Sequence, residues 1–210
     1  MPDPATLVIF AATALLFAAS PSPNFVFVLT RSISHGRTDG LMSVLGIGTG
    51  ALFHTLAAVL GLSALLTTSA LAFSALKVLG ALYLVYLGVR VLLSSSHPPV
   101  SAAVGRVKRG AAYRQGLMTM LLNPKAAVYF LAFLPQFVDP SRGAASGQLL
   151  VLGTVQAAAA VAVYTAVALM AAPVGSWLGR SAAARRVQKW STGVTYIVLG
   201  AGLALSGQRR

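Results

Sequence analysis

From Gly40 to Leu76 the chain runs without one charged side chain, and that stretch constrains the fold more than any other feature. A helix that crosses a bilayer takes about 20 apolar residues, so the run is too long for one crossing and short for two. Thr67, Thr68 and Ser69 supply a turn inside it, which predicts helices near 41–65 and 71–93. Composition agrees: of 210 residues, 57% are hydrophobic and 9% charged, against roughly 25% charged in a soluble domain. There is no Glu, and the only acids are Asp3, Asp39 and Asp139. A water-facing surface cannot be assembled from that supply. Most of the exterior must face lipid, and the fold class is an all-α integral membrane protein.

Four further apolar runs complete a set of six spans. The first, about 5–30, is interrupted by Pro21 and Pro23. No Lys or Arg precedes it, unlike the basic start of a secretory signal, so it is taken as a retained helix despite the small residues Ala18-Ala19-Ser20. A polar stretch with Pro98 and Pro99 runs from Ser94 to Arg114. The fourth span lies near 115–137 and contains Asn123-Pro124-Lys125; the fifth, near 147–171, ends before Pro173; the sixth lies near 190–206. The expected organisation is a three-helix unit at 1–93, a basic loop at 94–114 and a second three-helix unit at 115–210.

The formal net charge of +13 sits in short clusters between apolar runs, the pattern of membrane loops. No aromatic-plus-basic stripe is present, which excludes nucleic acid as a partner. With six spans, loops 31–40, 90–114 and 173–189 share one side and hold eleven basic residues; the other side holds Lys77, Arg142, Arg209 and Arg210. The positive-inside rule makes the first side cytoplasmic, with both termini outside. Arg209 and Arg210 dissent, and a five-span chain with its tail inside is the alternative. Asp39, among Arg31 and Arg37, is expected in a local ion pair. Cysteine is absent, which excludes disulfides, thiolate metal sites and thiol catalysis.

The two halves resemble each other. Gly80, Tyr83 and Gly88 of the third span correspond to Gly193, Tyr196 and Gly200 of the sixth. Val44-Leu45-Gly46 of the second corresponds to Val151-Leu152-Gly153 of the fifth. The first span is broken at Pro21 and Pro23, the fourth at Pro124. Halves of three spans insert with opposite orientation, the inverted-repeat arrangement of many secondary transporters.

A proline within a helix frees the carbonyl four residues earlier, here those of Phe17, Ala19 and Met120. In lipid such groups must find partners or line a cavity. The nearby side chains Ser20, Ser22, Asn24, Asn123 and Lys125 are polar, and broken helices in matching positions of inverted halves point to a substrate site. A simple kink is the bland alternative. Lys125 lies eleven residues from Arg114, about 16 Å along a helix, too deep to snorkel, and an ionisable group at that depth is a functional candidate. No span contains an acid to neutralise it, so its partner is a dipole, a water cavity or an anionic ligand group. Two residues turn a helix by about 200°; Asn123 and Lys125 face one cavity only if the helix unwinds at Pro124.

Gly46, Gly50 and His54 share one helix face, and small residues at that spacing permit close packing, so His54 should point into the bundle. It is either hydrogen-bonded to neighbouring backbone or a proton carrier, being the buried group that titrates near neutral pH. Tyr83, Tyr86, Tyr129, Tyr164 and Gln156 either line the site or pack. Tyr129 joins Ser22, Asn24, Asn123 and Lys125 in the expected substrate-binding set. No paired carboxylates and no nucleophile with a base occur, which argues against an enzyme.

Five segments resemble the LysE/RhtB family of amino-acid exporters. They are Pro21-Ser22-Pro23-Asn24; Ser34-His35-Gly36-Arg37 with Gly40-Leu41; Lys77 to Gly88; Leu122-Asn123-Pro124-Lys125; and Phe133-Leu134-Pro135-Gln136-Phe137. They follow the family's order and spacing over nearly the whole chain, with Ser22 where the family usually has Gly. The resemblance implies a bacterial inner-membrane exporter of amino acids or close derivatives, driven by proton exchange, with Asn24, Asn123, Pro124 and Lys125 in the functional core. No cofactor or metal is expected. Because no carboxylate is buried, a small neutral substrate such as threonine or homoserine is favoured over lysine. Lysine export and a passive scaffold or lipid-handling protein are the alternatives. Metal export, which some relatives of the fold perform, lacks ligands here, since His54 alone makes no site. The expected partners are the substrate and the bilayer, with a homodimer left open.

Overall fold

A computed structural model describes residues 1–20, 22–68, 70–93 and 109–171, with scattered helical positions between 186 and 204. Every regular element among the described residues is helical. In chain order they are α1 (Pro4–Ala19), α2 (Pro23–His35), α3 (Arg37–Thr68), α4 (Ala70–Leu93), α5 (Arg109–Leu121) and α6 (Pro124–Val128). The chain continues from α6 through a π-helical turn, Tyr129–Phe133, and a 3-10 turn, Leu134–Phe137. A second 3-10 turn, Pro140–Arg142, leads into α7 (Ala145–Leu169).

Arg37–Gly61 of α3 and Ala145–Leu169 of α7 are each long and apolar enough to cross a bilayer, with mean hydropathies of 1.7 and 1.8. Two bent pairs pass the same test together: α1 with α2, bent by 57°, and Gly110–Leu121 with Pro124–Phe137, bent by 51°. The described residues therefore hold two clear spans, or four if each bent pair is one. The expected spans 5–30, 41–65, 115–137 and 147–171 fall on these elements, and 71–93 falls on α4. The span expected near 190–206 lies largely outside the described residues, as do Pro21, Ser69 and most of the 94–114 loop. Arg109 and Arg114 are already helical, since α5 starts before the apolar run does.

Close approach of backbones sets the helix order. A Cβ on Gly46 would collide with the Tyr113 carbonyl, one on Gly116 with the Ser43 carbonyl, and one on Gly50 with the Met120 side chain. From Gly46 at Tyr113 and Leu117, through Gly50 at Leu117 and Met120, to His54 at the Met120 carbonyl, the contacts advance in the same direction along both chains, so α3 and α5 run parallel. The Tyr113 hydroxyl donates to Thr49 Oγ1 at 3.0 Å in the same seam. Against α7 the pairings reverse: Gly40 meets Ala168, Gly48 meets Val161 and Thr55 meets Gly153, so α3 and α7 are antiparallel. Lipid gives no hydrophobic drive for helices to associate, and small residues that let backbones touch provide the contact instead.

The helix directions place the starts of α3 and α5 and the end of α7 on one face. On the opposite face the Met1 ammonium donates to the Arg142 carbonyl at 2.8 Å. Gln148 holds that end together: its Oε1 accepts from Asp139 N–H at 3.0 Å, and its Nε2 donates to the carbonyls of Asp139 at 2.7 Å and Gly143 at 3.2 Å. Asp139 also pairs with Arg142 at 3.6 Å.

Two expectations at the basic face change. Arg31 is not in a loop, because α2 continues to His35 and is stopped by Gly36, whose φ of 89° suits glycine. No ion pair within 4 Å joins Asp39 to Arg31 or Arg37. Asp39 lies in the first turn of α3, where the helix dipole favours a negative charge.

Candidate functional site

The two breaks are built alike. Ser22 is extended (φ −150°, ψ 167°) and caps α2, its Oγ accepting from Phe25 N–H at 3.3 Å, with Pro23 at the first helical position. Asn123 is likewise extended (φ −80°, ψ 107°) and caps α6, its Oδ1 accepting from Lys125 N–H at 3.0 Å, with Pro124 next. The first N–H of a helix has no intrahelical acceptor, so proline there sacrifices nothing, and a polar cap stabilises the new helix by about 1 kcal/mol. Pro23 and Pro124 therefore begin helices rather than kink them. The unwound segment also removes the geometric objection to Asn123 and Lys125 sharing one cavity.

Two of the three carbonyls expected to be freed are held from across the fold. Lys125, 4% exposed, reaches back from α6 to the end of α1, where its Nζ donates to the Phe17 carbonyl at 3.0 Å and to Ser20 Oγ at 2.7 Å. The same nitrogen lies 4.1 Å from the centroid of the Phe17 ring. The C-terminal end of α1 is the negative end of its dipole, so the lysine's partner is a dipole together with an aromatic face. The Met120 carbonyl, at the end of α5, faces His54 Nε2 at 3.1 Å.

Between the breaks lies a small cavity lined by Phe17, Ala18, Ser22, Asn24, Met120, Asn123, Lys125, Ala126, Gln156, Ala160 and Tyr164. Its free volume of ≈ 10 Å³ is about the room of one water. Asn24 Nδ2 donates to Met120 Sδ at 3.0 Å, and the Ser22 and Tyr164 hydroxyls lie 3.4 Å apart. Asn24 Oδ1 and Gln156 Oε1 are buried acceptors without a hydrogen-bond partner. Leaving such groups unpaired is costly, and both belong to residues of the cavity wall.

Four of the five residues expected to bind substrate, Ser22, Asn24, Asn123 and Lys125, thus come together. Tyr129 does not line the cavity. Its ring lies behind Phe17, with centroids 3.9 Å apart, among Phe10, Phe130 and Phe133. His54 is also outside the wall, stacked on Phe130 at 5.4 Å. Gln156 and Tyr164 enter from α7, where Gln156, Ala160 and Tyr164 share one face at a spacing of four. The readable signal for them was a buried amide in an otherwise apolar helix. A larger, open hollow of ≈ 340 Å³ lies between α2 and α5, lined by Phe27, Arg114, Gln115, Met118, Thr119 and Leu122.

Bilayer-length apolar helices, with a lysine and two unpaired amide oxygens brought together where two broken helices meet, define a membrane transport protein. Residues 15–207 match the LysE type translocator family, and the chain belongs to it. It is similar to the homoserine/homoserine lactone efflux protein of Salmonella typhimurium, 29% identical over 91% of this chain and 92% of that one. It is also similar to the leucine efflux protein of Salmonella choleraesuis, 27% identical over 91% of both chains. A membrane protein of Vibrio cholerae is 33% identical over 67% of this chain and 68% of its own. No solved structure matches the chain.

Proposed function

We propose that this chain exports amino acids or close derivatives, binding them where the two breaks meet. The observation that carries the proposal is the charge pattern of one buried cavity: the Lys125 ammonium lies in its wall with two unpartnered acceptors, Asn24 Oδ1 and Gln156 Oε1. A zwitterion answers both, its carboxylate drawn by the positive potential and its ammonium taken by the amide oxygens. The names of the homoserine and leucine efflux relatives support the same class of substrate. Asp3, Asp39 and Asp139 are the chain's only acids and none lines the cavity, so a small neutral amino acid such as threonine or homoserine is preferred to lysine. The buried lysine and the paired breaks also speak against a passive scaffold, which needs neither.

The proposed architecture is six spans in two inverted three-helix repeats, with the basic face in the cytoplasm of a bacterial cell. The like construction of the two breaks supports it, as does the antiparallel pairing of α3 with α7. A cavity with room for one water is too small for any amino acid, so this is a closed state, and loading requires α1–α2 and α5–α6 to part. His54 is the proposed proton carrier, because its Nε2 sits on the carbonyl at which α5 ends, and a change in its charge would act on the break.

The test is efflux from proteoliposomes loaded with labelled homoserine, threonine, leucine or lysine under an imposed pH gradient. Faster export of the neutral amino acids is expected. Preferential lysine export, or no flux of any of them, overturns the proposal.

A further inference from the structure

Among the described residues, Arg31 is the most deeply buried cation outside the cavity: it is 1% exposed, and Nε, Nη1 and Nη2 all lack a hydrogen-bond partner. No acid is within ion-pair distance of it. A guanidinium offers five donors in a planar fork that matches an oxyanion, and burying it with nothing to receive those donors is strongly unfavourable. No acceptor of the protein occupies that fork, which leaves it open to an oxyanion.

Its position says which group. Arg31 stands seven residues after Asn24 on α2, two turns or about 10 Å nearer the basic face, and on the same side of the helix. Val28 lies between them on that side and is fully buried. Side chains on a helix lean toward its N-terminus, which carries the guanidinium back toward Asn24 and the cavity. Phe27, one turn before Arg31, lines the open hollow between α2 and α5, whose wall includes Arg114. Arg31 thus stands one turn beyond the hollow's Phe27 and two beyond the cavity's Asn24, on the basic side of both residues.

We propose that Arg31 is a second anion site, which binds the substrate's carboxylate in a fork on the basic side before the substrate reaches Asn24 and Lys125. This rests on the amino-acid export proposed above and adds a recognition step to it. A site of this kind selects for a free carboxylate. Homoserine has one; homoserine lactone, its cyclic ester, does not.

The experiment compares transport of homoserine and homoserine lactone by the wild-type protein, Arg31→Gln and Arg31→Lys in proteoliposomes, with protein-free liposomes as background. With Arg31→Gln the KM for homoserine is expected to rise at least tenfold while that for the lactone changes less than threefold; Arg31→Lys falls between. Lactone transport also reports that the variant is folded. Equal loss of both substrates, or no change in either, overturns the site. So does a defect that depends on the content of anionic lipid and is the same for both substrates, because the partner is then a lipid phosphate. Wild-type protein that moves neither substrate contradicts the export function itself.

Discussion

The side-chain nitrogen of Lys125 donates to the backbone carbonyl of Phe17 at 3.0 Å, across 108 positions of sequence. The bond ties the last turn of α1 to the first turn of α6, so the second broken helix supplies the donor for a carbonyl that the first exposes. A single cation thereby neutralises a helix end, closes the cavity and places positive potential inside it.

Lys125→Ala is expected to lower export by at least 100-fold at an unchanged level in the membrane, and Lys125→Arg to recover little, because the planar guanidinium cannot repeat contacts with Phe17 and Ser20 made by a compact ammonium. Survival of expressing cells challenged with toxic amino-acid analogues measures it. Protection by Lys125→Ala equal to wild type would remove the lysine from the mechanism.

The seam between α3 and α5 should resist any added side chain. Gly116→Ala forces a methyl group against the Ser43 carbonyl and is expected to destabilise the protein by about 1–3 kcal/mol. Gly147→Ala meets nothing within 4 Å and should be nearly neutral. Thermal unfolding in detergent distinguishes the two; equal midpoints would mean the helices do not touch there.

Gln156→Leu removes an unpaired acceptor from the cavity wall and should raise the KM for a neutral amino acid by roughly 10- to 150-fold, the scale of one hydrogen bond to a charged group, about 1.5–3 kcal/mol. Tyr164→Phe loses a long 3.4 Å contact with Ser22 and should change KM less than threefold. Initial rates of efflux against internal substrate concentration give both values.

His54→Gln retains a side-chain donor for the Met120 carbonyl but cannot titrate. It is expected to preserve exchange of substrate across the membrane while abolishing the acceleration produced by a pH gradient. Unchanged acceleration would make His54 a packing residue.

At the end opposite the basic face, hydrogen bonds hold two carboxyls, one half-buried and one exposed, below the ordinary value of 3.8: the Ser141 hydroxyl foremost for Asp139, and Thr6 N–H foremost for Asp3. A depressed folded-state pKa contributes stability that is present above the unfolded value and lost as pH falls through the folded one. The turn at 139–143 and the start of α1 should therefore hold unchanged from neutrality down to about pH 4 and loosen below it, as amide hydrogen exchange of Thr6 and Ser141 would report. Loosening already at pH 6 would contradict the assignment.

The apolar runs and the two breaks were legible because they depend on local chemistry: absence of charge, and proline beside a capping side chain. Arg31 was not. Charge marked it as loop, yet α2 ends where Gly36 provides a left-handed residue, five positions later. Tyr129, Gln156 and Tyr164 show the other limit. Each is polar in an apolar helix, and only the packing of α7 and Phe17 against the breaks decides that Gln156 and Tyr164 line the cavity while Tyr129 stands behind it.

Thiol labelling of a single new cysteine tests the central cavity most directly, since the chain has none of its own. Ala160 lines the cavity and Ala158, two positions away on α7, is exposed on the outside of the helix. In transporting membranes a small charged methanethiosulfonate should modify Ala160→Cys, and saturating homoserine should slow that modification at least tenfold, while Ala158→Cys stays unreacted in lipid. Labelling of Ala160→Cys that is absent, or indifferent to substrate, would contradict a transport site at the meeting of the two breaks.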